Sequence, residues 1–145
     1  MTNQKENLEQ RMAFEIGGEI YAMDVLAIKE VLRHSGVTPI PHSPHFVLGL
    51  INLRGSVVTV IDGRKRMNVK EAEVSEETRV IIVDSEEHSV GILVDSVREV
   101  VDIDKDSIMP HSNSATDVGD YVHGICHIND ELHILLDHTQ LLSEA

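Results

Sequence analysis

Four side chains near the C-terminal end of the chain carry its softest ligand chemistry: His123, Cys126, His127 and His133. Thiolate and imidazole together suit zinc. They fall on a segment that reads as a hairpin, where the period of two along a strand puts His123 and His127 on one face and Cys126 on the other. That spacing argues against a shared ion, so no metal is expected. Asp102-x-Asp104-x-Asp106 imitates the opening of a calcium loop. Its sixth position is Ser107, where glycine is needed, and its twelfth is Asn113, where a bidentate glutamate is needed. It reads as a solvated acidic turn. His34, His42, His45, His88, His111 and His138 sit in turns and loops, where exposed imidazole is ordinary.

Nucleophilic and phosphate chemistry find no foothold. The chain has neither a Gly-x-Gly-x-x-Gly fingerprint nor a lysine-bearing phosphate loop, and no Gly-x-Ser-x-Gly elbow. Carboxylates are abundant, but nothing in their spacing pairs two of them for acid–base work. No catalytic residue and no cofactor is expected. Asp and Glu number 25 against 12 Lys and Arg, a formal charge of −13 that repels phosphate backbones and anionic lipid. Nucleic acid is therefore a poor partner. No apolar run approaches the ~18–20 residues needed to span a bilayer, and the N-terminus has no signal-peptide core, so no direct membrane insertion is expected. One cysteine excludes an internal disulfide and fits a reducing cytosol.

The elements that must position these residues are mostly strands. The 145 residues include 18 Val and 14 Ile against 12 Leu and 6 Ala, and β-branched side chains favour a pleated surface. Residues 1–12 read as a flexible tail. Strands are expected at 13–16 and 19–24 around a Gly17-Gly18 turn, at 47–53 and 56–62 around Arg54-Gly55, at 79–83 and 89–94 around the acidic turn 84–88, and at 97–103. A last hairpin, 121–128 and 132–137, closes around Asn129-Asp130-Glu131, and His138 to Leu142 fits one helical turn. The segment 25–32 is ambiguous: Val25, Ile28 and Leu32 have helical spacing but soon meet Thr38-Pro39-Ile40-Pro41. Residues 64–78 are charged and turn-like, and 111–120 have loop composition.

The chain also repeats itself. Residues 21–31 align with 90–100 at an offset of 69, with identities Val25/Val94, Glu30/Glu99 and Val31/Val100 and the conservative pair Lys29/Arg98. Residues 49–62 align with 124–137 at an offset of 75, from Gly49/Gly124 to Asp62/Asp137. The expectation is one domain over 13–145 made of two duplicated halves, about 13–78 and 79–142, each a small β-unit packed on the other.

From Val25 to Asp62 the order is specific. Ile28-Lys29-Glu30-Val31, Thr38-Pro39-Ile40-Pro41, the run Phe46-Val47-Leu48-Gly49-Leu50-Ile51-Asn52-Leu53-Arg54-Gly55 and Val57 to Asp62 together resemble the CheW-type chemotaxis coupling proteins. Phe14 to Asp24 and Val90 to Val97 are similar too, and the likeness covers about 13–142. It departs at Gly63, where the family usually carries leucine. The resemblance implies a mainly all-β fold of two small five-stranded SH3-like barrels with short helical turns. It also implies a non-enzymatic adaptor in the cytoplasm, peripheral to membrane-bound receptor arrays. Such an adaptor links the cytoplasmic tip of methyl-accepting chemoreceptors to the regulatory domain of a chemotaxis histidine kinase. The length leaves no room for an added kinase domain, so a stand-alone coupler is expected. A coupler for a non-flagellar pathway such as pilus motility, and a metal-binding β-barrel, are the alternatives.

The resemblance also gives site residues. A receptor helix binds by laying an apolar stripe in a groove, and the seam between two barrels is such a groove. Val25, Ile28, Val94 and Val97 are equivalent apolar positions of the two halves that the likeness puts near this seam, with Glu30 beside them as receptor-binding residues. Gly49, Arg54 and Gly55 are expected to be structural or interface residues. Glu30 and Arg54 match charged positions by which the family is recognised, and they are expected to pair. Arg54 aligns with uncharged Asn129, so the second half is expected to lack such a pair.

Overall fold

The computed structural model describes residues 7–69, 74–84, 88–110 and 121–142. The expected loop at 111–120 and residues 85–87 of the acidic turn lie outside them. The elements run β1 (Leu8–Ile16), β2 (Glu19–Asp24), β3 (Ile28–Arg33), β4 (Val47–Leu53), β5 (Ser56–Asp62), α1 (Gly63–Arg66), β6 (Arg79–Asp84), β7 (Ser89–Val94), β8 (Ser96–Asp104), β9 (Val122–Ile128), β10 (Glu131–Leu136) and α2 (His138–Leu141). The ambiguous 25–32 stretch resolves into a single 3-10 turn, Val25–Ala27, followed by strand. Asp24 caps that turn by accepting from the Leu26 amide at 3.0 Å.

Residues 8–12, expected in a flexible tail, are strand. β1 begins at Leu8 and pairs with β8 from Leu8↔Asp104 onwards. Arg11 and Met12 are buried. The polar run Glu9-Gln10-Arg11 concealed the strand because its partners are polar: Gln10 Nε2 donates to Asp102 at 3.1 Å, and Arg11 donates to the Ala22 and Leu136 carbonyls at 3.3 and 3.0 Å.

Two five-stranded sheets form, ordered β8-β1-β2-β10-β9 and β3-β6-β7-β5-β4, each wrapped as a small SH3-like barrel. The repeat holds down to register. Met12↔Met23 corresponds to Ile81↔Ile92, the parallel pair Ile134↔Tyr21 to Thr59↔Val90, and Gly49↔Val60 to Gly124↔Leu135. The hairpins over 49–62 and 124–137 are thus equivalent. Their turns match as well: Arg54 and Gly55 have φ of 51° and 85°, and Asn129 and Asp130 have 51° and 65°. Positive φ at both central residues is what a tight hairpin between right-twisted strands demands.

The division into halves is corrected. The repeats do not close separately; they exchange three strands. β1-β2 of the first repeat is completed by β8-β10 of the second, and β6-β7 of the second by β3-β5 of the first. The chain leaves the first sheet through Val25–Ala27 and returns through Asp95, between Val94 and Ser96. Connections too short to turn back make the crossing, and no periodicity within a strand records which sheet it will join.

Gly49 and Gly124 show why the repeat kept glycine. A Cβ on Gly49 would lie 2.1 Å from the Thr38 carbonyl oxygen, and one on Gly124 would lie 2.9 Å from that of Met109. At each place a passing strand bonds the hairpin twice, Thr38 with Leu50 and Met109 with Ile125. Each barrel has its own apolar centre, Ala22, Val101, Ile103, Cys126 and Leu135 in one, Val58, Val60, Val80, Ile82 and Leu93 in the other. A larger core joins them. Phe14, Ile16, Tyr21 and Met23 meet Ile61, Ile81, Val90, Ile92, Val94, Leu136 and Leu141 across the seam.

Candidate functional site

Glu30 and Arg54 meet. Glu30 lies on β3 and Arg54 opens the β4–β5 turn, and Arg54 donates to both carboxylate oxygens, at 2.6 and 2.9 Å. Planar guanidinium matches carboxylate in this two-bond fork. The hydrogen bond from Arg54 holds the Glu30 carboxyl below the ordinary carboxylate value, and Glu30 raises Arg54 in return. The two ends face solvent unequally: the Arg54 side chain is 72% exposed, that of Glu30 20%.

The expected asymmetry is corrected. The second half has its own fork, with the charges exchanged. Arg98 on β8, at the repeat position of Lys29, donates to both oxygens of Glu131 in the β9–β10 hairpin at 3.1 and 2.9 Å. Glu131 stands where the first half has Ser56. Comparing Glu30 only with Glu99, and Arg54 only with Asn129, missed a bridge displaced by one or two residues. The cue was Lys29/Arg98, a conserved cation in an apolar stretch facing an acid in the turn.

The four apolar seam residues separate. Val94 is wholly buried in the joining core and offers nothing to a partner, which corrects its assignment to a binding surface. Ile28 and Val97, where the exchanged strands begin, pack partly buried against that core. Val25, the repeat counterpart of Val94, is half-buried and lines an open cavity of about 660 Å³ with Leu8, Glu9, Gln10, Asp24 and Leu26. Leu26, which the sequence did not single out, is 90% exposed. Two further exposed pairs obey the repeat: Val31 with Val100, and Val57 with Leu132. Val57 lies with Glu30, Arg54 and Leu53 around a cavity of about 330 Å³.

The seam is fixed by two arginines from α1. Arg64, buried, pairs with Asp95, whose other oxygen accepts from the Gly17 amide at 2.8 Å, tying helix, crossover and first turn together. Arg66 lies between the rings of Phe46 and Tyr121, 4.5 Å from each centroid, and its Nε donates to the Leu141 carbonyl at 2.8 Å. Phe46 and Tyr121 are repeat partners, as are Arg66 and Leu141, so this contact marks where the two repeats meet. A cation between two faces is worth roughly 0.5–2 kcal/mol per ring, rising with desolvation.

Metal ligation is not assembled. Cys126 and His133 are buried register partners across β9 and β10, His127 is exposed, and among the described residues no three His, Cys, Asp or Glu side chains stand close enough to hold an ion. No described helix is long and apolar enough to cross a membrane.

Comparison with known proteins bears on this arrangement directly. A family model described as the CheW-like domain matches residues 10–145. The chain is 32% identical over 121 residues to chemotaxis protein CheW of Rhizobium meliloti, covering 81% of this chain and 78% of that protein. It is 32% identical over 133 residues to chemotaxis protein CheW of Thermotoga maritima, covering 92% and 87%. The crystal structure of the scaffolding protein TtCheW from Thermoanaerobacter tengcongensis superposes with a TM-score of 0.87 at 33% identity, over 93% of this chain and 92% of that one.

Proposed function

The chain belongs to the CheW-like family, and from that membership we propose that it is a non-enzymatic adaptor of chemotaxis signalling, coupling transmembrane chemoreceptors to a cytosolic histidine kinase. The observation that carries this is the match of nearly the whole chain, in sequence and in fold, to proteins named chemotaxis protein CheW and to a scaffolding protein of that family.

The residues divide the work. The seam, with Val25, Leu26, Ile28 and Val97, receives the receptor tip, whose helices present an apolar stripe. The hairpin ends, with Arg54 and Val57 on one barrel and Arg98, Leu132 and Glu131 on the other, face domains of like fold in the kinase. Glu30, expected among the receptor-binding residues, is reassigned to this face because its fork with Arg54 holds it at the hairpin end. Pseudo-equivalent faces on one chain allow near-equivalent contacts on both sides, which permits alternating partners to close a ring. The adaptor works in the cytoplasm, beneath receptor arrays, by position alone.

The test is reconstitution. Membranes bearing receptor are mixed with kinase, with and without this protein, and autophosphorylation is measured. A several-fold rise that needs all three components is expected. Equal output with and without the protein rejects the proposal.

A further inference from the structure

β3 ends and β6 begins with an arginine, and the two stand opposite one another. Arg33 and Arg79 are register partners across the antiparallel ladder. Directly opposed like charges destabilise a strand pair. The repeat supplies the comparison. The equivalent partners in the other barrel are Asp102 and Gln10, joined by a hydrogen bond of 3.1 Å. One barrel closes this point with a neutral–acid pair; the other leaves two cations facing each other.

Among the described residues no carboxylate forms an ion pair with either of them. Arg33 is exposed and, among the described residues, makes no hydrogen bond or ion pair. Arg79 donates only to backbone, to the Glu76 and Thr78 carbonyls at 2.7 and 2.9 Å. The two arginines line an open cavity of about 530 Å³ with His34, Ser75, Glu76, Glu77 and Thr78. His34 Nδ1 is itself shielded from solvent and has no hydrogen-bond partner. The equivalent cavity of the other barrel carries Glu9, Gln10, Asp24, Asp102 and Lys105 instead. The Arg33 cavity is the less acidic of the two: its two arginines face two glutamates, where the other sets three carboxylates against one lysine.

We propose that this cavity binds a phosphoryl oxyanion, inorganic or esterified, between Arg33 and Arg79. A single carboxylate is satisfied by one guanidinium fork, whereas a tetrahedral dianion has oxygens enough for two. The anion removes the repulsion that the ladder imposes. Glu76 and Glu77 hold their carboxylates outside any ion pair with these arginines, and their charge limits affinity rather than abolishing it. The cavity is far larger than a bare phosphate, which leaves room for a carrier group.

The experiment is a backbone amide titration of the intact protein with inorganic phosphate at neutral pH, against sodium chloride at matched ionic strength and against acetate. Saturable shifts centred on Arg33, His34 and Arg79 are expected with phosphate, and weaker ones with acetate. Arg33→Gln, an exposed change that leaves the fold intact, should weaken binding roughly tenfold. Glu77→Gln should tighten it several-fold, a gain that a damaged fold would not produce. Phenyl phosphate binding more tightly than inorganic phosphate assigns the anion to an esterified source; equal binding assigns it to the free ion. Shifts no larger than those in chloride, or shifts that persist in Arg33→Gln, overturn the proposal.

Discussion

The two barrels tie their edge strands to their hairpins with the same kind of fork and opposite charges. On the β3 side the strand supplies the carboxylate, Glu30, and the turn supplies the cation, Arg54; on the β8 side Arg98 is on the strand and Glu131 on the hairpin. Exposure follows the inversion. Arg54, at 72%, is the outward end of its fork, while Glu131, at 45%, is the outward end of the other, with Arg98 at 24%. The fold therefore asks only that strand and hairpin be bridged. Which charge faces outwards is free to differ, and here it gives one barrel a cation and the other an acid at matching points. Charges at the rim of an interface select partners and set encounter rates more than they add affinity.

The comparison breaks most sharply at Val25 and Val94, repeat partners with opposite surroundings. Val94→Asp places an uncompensated carboxylate in the joining core, at a cost of at least about 4 kcal/mol. Urea denaturation should show a protein largely unfolded or far less stable. Val25→Asp, at the half-exposed counterpart, should leave the unfolding midpoint nearly unchanged and weaken receptor binding in a co-sedimentation assay. Similar midpoints for the two variants would contradict the burial difference.

Arg66→Ala tests what holds the two barrels together. Losing both ring contacts and the hydrogen bonds to the Tyr121 hydroxyl and the Gln140 and Leu141 carbonyls should cost at least about 2 kcal/mol. The loss should appear as a single lower thermal transition, because the joining core makes the barrels one cooperative unit. Two resolved transitions would mean that they fold independently.

Exchanging the charges of the first fork, as Glu30→Arg with Arg54→Glu, rebuilds the polarity found in the second. Thermal unfolding should shift by less than about 2 °C, since exposed pairs add little. Partner binding should fall roughly tenfold, because the outward charge is now wrong. Binding that recovers in the double exchange would assign the pair to scaffold rather than interface.

The smallest effect is the response to acid. Both Glu30 and Glu131 have folded-state values below the ordinary 4.5, owing first to the hydrogen bond from their arginine. A lowered folded value stabilises above the unfolded pKa and is lost as pH falls through the folded one. Glu30→Gln and Glu131→Gln should each lower stability by a small, similar amount near neutrality, and the difference from the parent should vanish as pH falls below the folded value. Thermal melts across that range measure it. A loss of the same size in acid and at neutral pH would show a fork acting by packing rather than charge.

Much of this was legible in the chain. β-branched composition and turn residues gave nearly every strand after residue 12, and the offsets of 69 and 75 gave the repeat. The Glu30–Arg54 fork followed from the family resemblance, which singles out both charged positions. What stayed hidden was nonlocal. The strand exchange depends on which sheet accepts a strand, which no local pattern encodes. Val94 and Val25 have the same side chain and similar neighbours in sequence, so only packing separates them. The Arg98–Glu131 fork was lost by demanding that equivalent jobs fall on aligned positions. The strand at 8–12 was lost because its partners are polar.

The exchanged strands impose an order on synthesis. All five strands of the second barrel, β3 to β7, lie between Ile28 and Val94, so it can close as soon as that stretch has left the ribosome. β1 and β2, made first, must wait for β8 to β10, with both edges of their hairpin unpaired. Open edges of that kind join to other chains. Glu9, Arg11, Glu15 and Glu19 string charge along that waiting hairpin, and charge on an unpaired strand opposes pairing with a neighbouring chain.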